Sequence, residues 1–181
     1  MKRFVLATIL FLLFVLFVLP AVSQNGEQYM GSTRLPDTRL YYSLDDVYTI
    51  AERLGETGRA YYVKQRITFD LVWPIVYSWF FYNAIMIIFS QFDPKSLYIT
   101  LRWLPILALI FDYLENGLAS LVMMTYPSRI DSLARWLPYS SLLKWTFVGL
   151  SFISLVIGVL ILFIRYSRKK EKEKWAKENQ E

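Results

Sequence analysis

The chain has 181 residues, of which 55% are hydrophobic and 18% aromatic, the balance of a polytopic membrane protein rather than of a soluble domain. Its net charge is +5, and it contains neither Cys nor His. Those absences remove disulfide and thiolate chemistry, Ser-His-Asp and Cys-His catalysis, and every His-ligated metal site.

Four apolar runs are long enough to cross about 30 Å of hydrocarbon, which takes roughly 20 helical residues. They fall at about 4–22, 68–90, 101–125 and 142–164. The predicted fold is an all-α membrane protein: a four-transmembrane-helix bundle forming one integral domain over residues 1–181. An extracytoplasmic amphipathic helix is expected between spans 1 and 2.

The first run, "MKRFVLATILFLLFVLFVLPAVSQN", has a basic start and an apolar stretch from Phe4 to Leu19. It reads as a retained helix. A signal peptide cleaved after Ser23 is the alternative, because Ala21 and Ser23 are small residues at a suitable place.

The outer loop, 23–66, contains "YSLDDVYTIAERLGETG". Ser43 followed by Asp46 makes a variant of the capping box. Leu44, Val47, Ala51 and Leu54 recur at helical spacing and make one apolar face. Gly55 and Gly58 are plausible stops. Such a helix lies either on the bundle surface or as a lid over an outward-facing opening. Tyr61 and Tyr62, among Arg59, Lys64 and Arg66, form an interfacial belt at the entry to span 2. Arg66 precedes Asp70 by four residues, so the two pair on one helix face. Pro74 kinks the span and frees a carbonyl, which a neighbouring group must take up.

The third span carries "LIFDYLENGLAS" at 109–120, with Asp112, Glu115 and Asn116 near the bilayer centre. A charge there costs at least about 2.5 kcal/mol, so these groups should not face lipid. At 100° per residue they share one side with Pro105, Ala108, Ala119 and Met123. That stripe points to the bundle interior, where small neighbours allow close helix approach or room for water. On span 2 the matching face holds Asp70, Trp73, Pro74, Tyr77, Phe81 and Ala84, with Asn83 off it. On span 4 it holds Lys144, Phe147, Ser151, Ser154, Leu155 and Gly158.

If the three faces converge they form a polar column. Asp70, Lys144 and Arg66 would then be ion-pair candidates at its outer mouth. Asp112, Glu115, Asn116, Tyr77, Ser151 and Ser154 would be the ligand- or proton-binding candidates in its middle. No basic residue is placed at the depth of Asp112 and Glu115, and desolvation with like charge favours one proton shared between them.

The basic tail 165–181, "RYSRKKEKEKWAKENQE", suits a solvated helix continuing span 4. With Lys2 and Arg3 it places both termini in the cytoplasm and the chain, multi-pass, in the cell membrane. Arg129 and Arg135 in the short second outer loop run against that rule.

Three functions fit these residues. The first is a binding site for a proton, a cation or a polar lipid headgroup. The second is a structural or accessory subunit whose polar network only fixes helix packing, and the third a lipid-modifying enzyme using Asp and Glu. No motif calls for a cofactor or a metal. The partners implied are the bilayer and either a second copy or another membrane protein. No basic, aromatic-interleaved groove points to nucleic acid.

Overall fold

The computed structural model describes residues 1–31, 35, 42–92 and 98–178. Among these there is no strand. Four long helices are apolar enough to cross a membrane. We call them α1 (Lys2–Met30), α2 (Leu44–Phe89), α3 (Leu104–Thr125) and α4 (Leu137–Glu178). Single helical turns at Tyr98–Leu101 and Asp131–Ala134 lead into α3 and α4. The protein is a multi-pass, all-α membrane bundle.

α1 runs past the expected end at residue 22 because Pro20 does not stop it. Proline cannot donate to the carbonyl four residues back, and its ring crowds that carbonyl. The turn Phe14–Val18 is a π-helical turn, wide enough to absorb the misfit. α1 packs along α2 through aromatic rings, Phe11 on Phe80 at 4.4 Å, Phe14 on Trp73 at 6.0 Å and Tyr29 on Tyr61 at 4.4 Å. Among the described residues it has no extended contact with α3 or α4.

The amphipathic helix and span 2 form one helix with a break. The capping box at its start has both arms, Asp46 N–H donating to Ser43 Oγ and Ser43 N–H donating to Asp46 Oδ2 at 2.8 Å. Gly55, at φ 62°, leaves the helical conformation, a geometry that costs a side-chain-bearing residue far more than glycine. Arg59 Nη1 donates at 2.9 Å to the Ala51 carbonyl, four residues before the break, and satisfies it. Gly58, the second expected stop, lies inside the helix, where a Cβ would come 3.2 Å from the Tyr29 carbonyl oxygen.

The first segment of α2 caps the bundle. Val47, Ile50, Ala51 and Leu54 form an outer apolar cluster with Ala119, Val122 and Met123 of α3 and Leu137 of α4. The connection between α3 and α4 clasps this cap. Ile130 N–H donates to Tyr48 Oη at 2.7 Å. Arg129 bridges Asp45 at 2.9 Å and Asp131 at 3.0 Å over the Tyr48 ring. Its hydrogen bonds to Asp45 and then Asp131 raise its already high pKa.

The helices alternate in direction, so both termini and the connection near residue 92 share one end. Phe4 stacks on Phe80, and the Arg165 guanidinium lies over the Phe92 ring. At that end α4 approaches α2 at Gly158, where a Cβ would meet Ile88 Cγ2 at 2.5 Å. α4 begins at Leu137, five residues before the expected start at 142, and continues as a helix into the basic tail as far as Glu178.

Candidate functional site

Between the outer apolar cluster and an inner one built on Tyr77, Phe81 and Ala108 lies a layer of charged side chains. Arg66, Asp70, Asp112, Glu115 and Lys144 each expose between 1% and 8% of their surface. Buried charges persist only when paired and hydrogen-bonded, so the partners define the site.

Pro74 starts the arrangement. It leaves the Asp70 carbonyl without its helical donor, as proline does to the residue four positions back. Asn116 Nδ2 donates to that carbonyl at 3.3 Å. Tyr113 Oη donates to the next carbonyl, Leu71, at 2.7 Å. The kink is therefore stitched to α3.

Asn116 is oriented by Arg66. A guanidinium only donates, so the amide oxygen faces Arg66 Nη1, at 3.1 Å. The amide nitrogen then donates to Asp112 Oδ1 at 3.0 Å. Tyr77 Oη donates to Asp112 Oδ2 at 2.9 Å. Arg66 Nη1 also donates to Asp70 Oδ2 at 2.8 Å, and its guanidinium lies 4.4 Å over the Tyr62 ring. Five side chains from two helices thus make one chain: Asp70, Arg66, Asn116, Asp112 and Tyr77.

Glu115 belongs to a second group. Lys144 pairs with its Oε2, and Ser141 Oγ donates to its Oε1 at 2.6 Å. Ser141 has one proton, and Tyr42 Oη lies 2.5 Å from its oxygen. Since a carboxylate only accepts, Ser141 donates to Glu115 and Tyr42 donates to Ser141.

Three expectations are corrected here. Lys144 does not sit at an outer mouth; it lies at the depth of Glu115, because α4 starts further out than expected and crosses α3 in antiparallel register. Asp112 and Glu115 are not brought together as a proton-sharing pair; Glu115 pairs with Lys144, and Asp112 accepts from Tyr77 and Asn116. Ser151 and Ser154 do not join the network. They are buried, but their hydroxyls donate to Phe147 and Leu150 of their own helix at 2.7 Å, a local bond always open to helical serine. The off-face Asn83 likewise donates to Trp79 of its own helix.

Ser141, Tyr42 and Tyr62 were not anticipated in this role. Ser141 had a signal. Stepping back from Lys144 by three and seven residues along its face reaches Ser141 and Leu137, both buried.

Beside the network is a cleft of about 840 Å³, open on one side. It lies where α1 and α4 fail to meet. Phe11, Leu19 and Val22 of α1 line one wall, and Lys144, Trp145 and Val148 of α4 another. Arg66, Asp70, Trp73, Tyr77 and Phe81 of α2 form the floor, with Asp112 of α3 behind them. Glu115 and Asn116 do not reach the cleft; they hold the residues that do. Among the described residues no group of three carboxylates could hold a metal ion.

Comparison of the chain with protein families, curated proteins and solved structures finds no match to any of them.

Proposed function

We propose that the protein binds an amphiphile, seating its polar headgroup against the charged layer and its apolar part along α1. The observation that carries this reading is the lining of the cleft. The floor and the α4 wall hold buried charges of both signs, Arg66, Asp70, Asp112 and Lys144, and the rest of the lining is mostly aromatic and aliphatic, with Ser23, Glu27 and Gln65 among it. A proton or a bare cation needs no apolar cleft of this size, whereas small-molecule sites are commonly about 300–1,000 Å³ and mostly apolar with a few placed polar groups. The open side between α1 and α4 would let a lipid enter from the membrane plane.

Native mass spectrometry of the protein released from mild detergent tests this. The expected result is a retained lipid, lost in a Trp73→Ala, Trp145→Ala variant. Bare protein, or lipid retained equally by that variant, would instead favour a polar layer that only fixes helix packing.

The membrane placement belongs to the same reading: both termini in the cytoplasm and the Tyr42–Leu54 cap outside. The chain has no Cys, so single cysteines placed at 128 and 170 report their side cleanly. An impermeant maleimide applied to intact cells should label position 128 and spare position 170.

A further inference from the structure

The charges around the cleft do not balance, and the residual sign selects a ligand. Arg66 pairs with Asp70, and Lys144 with Glu115. Glu27, the remaining carboxylate on the lining, is exposed, and among the buried charges Asp112 is left over. Its two oxygens accept from Tyr77 and Asn116, both neutral, and among the described residues no cation lies at ion-pair distance from it. Since Asn116 Nδ2 can only donate, Asp112 Oδ1 accepts. A carboxylate 7% exposed and supported only by neutral donors is costly unless a positive charge comes to it.

The surroundings suit one kind of positive charge. Trp73 and Tyr77 stand edge to face at 5.6 Å, and with Phe81 and Trp145 they share the cleft with Asp112. Aromatic faces around a carboxylate form the cage that recognises ammonium groups. The rest of the wall carries both Arg66 and Lys144, which suits a phosphate next to that ammonium.

Resting on the amphiphile reading above, we infer that the ligand is a zwitterionic lipid whose ammonium group sits on Asp112 among Trp73, Tyr77 and Phe81. Binding is non-covalent. An anionic lipid brings phosphate but leaves Asp112 uncompensated. The cleft therefore discriminates by the ammonium.

The test is competition in detergent between phosphatidylethanolamine and phosphatidylethanol, which share a phosphate and differ in the ammonium, read by native mass spectrometry. Wild-type protein should favour phosphatidylethanolamine by about tenfold, the scale of a desolvated cation–aromatic contact together with an ion pair. Asp112→Asn should abolish the preference while still binding both lipids. The substituted amide can donate to Tyr77 Oη and accept from Asn116, so the network survives. If that variant fails to fold, the wild-type competition alone decides. Equal binding of the two lipids, or preference for phosphatidylethanol, overturns the ammonium assignment and leaves the amphiphile reading standing. Retention of neither lipid overturns both.

Discussion

Replacing Asn116 with Leu removes three hydrogen bonds while keeping the branched shape and the number of side-chain heavy atoms. These are the bonds from Arg66 at 3.1 Å, to Asp112 at 3.0 Å and to the Asp70 carbonyl at 3.3 Å. Interhelical hydrogen bonds in membrane proteins contribute about 0.6 kcal/mol on average and up to about 1.7. Three of them predict a loss of about 2 kcal/mol, rising to about 5 if each lies at the upper end. Arg66 keeps Asp70 and Asp112 keeps Tyr77, but the Asp70 carbonyl loses the donor that stands in for the helical N–H that Pro74 lacks. That asymmetry gives a sharper test. In a Pro74→Ala background the restored N–H at position 74 satisfies the Asp70 carbonyl. The cost of Asn116→Leu should then fall by about 1 kcal/mol, the worth of one buried acceptor. Reversible unfolding in mixed micelles, measured for both single variants and the double, provides the cycle. Additivity within about 0.5 kcal/mol would mean that Asn116 and Pro74 act independently, and would refute the coupling of kink to network.

Other substitutions probe the remaining supports. Lys144→Met leaves Glu115 buried without its cation and should cost about 3–5 kcal/mol, most of it recovered by adding Glu115→Gln; thermal melting in detergent reads both, and a harmless Lys144→Met would restore the shared-proton reading of Glu115. Gly158→Val forces a side chain into Ile88, where even a Cβ comes to 2.5 Å, and should destabilise by about 1–3 kcal/mol; an unchanged melt would show that α2 and α4 separate freely there. Mass spectrometry of protein isolated from membranes should find an N-terminus that retains α1. A chain beginning at Gln24 would lack Phe11, Leu19 and Val22, and with them one wall of the cleft.

The elements legible in sequence were those set by period. The stripe Pro105, Ala108, Asp112, Glu115, Asn116, Ala119 and Met123 is buried throughout, because helical spacing fixes the direction in which a side chain points. Ser43 and Asp46 were legible because a cap is local. The partner of Glu115 was not. Periodicity gives the azimuth of Lys144 on its helix but not the axial register of that helix against α3. An expected start at 142 instead of 137 moved the lysine outward and dropped Ser141 altogether. Ser151 and Ser154 were correctly placed on an inward face, yet a helical hydroxyl can turn to its own backbone, and composition cannot tell which bond it takes. Tyr42 stands just before a helix, where no period applies. The cleft itself left no mark in the sequence. The part of α1 before Pro20 is apolar nearly all round, so nothing in it signals that, among the described residues, its extended contacts are with α2.

The central claim is that the space between α1 and α4 holds a lipid by its headgroup. A density map from crystals grown in a lipid mesophase tests it most directly. Elongated density is expected in the cleft, its polar end within hydrogen-bonding reach of Asp112, Arg66 or Lys144 and its tail along Phe11 and Leu19. A map in which α1 has closed onto α4, or in which the cleft holds only water, would contradict it.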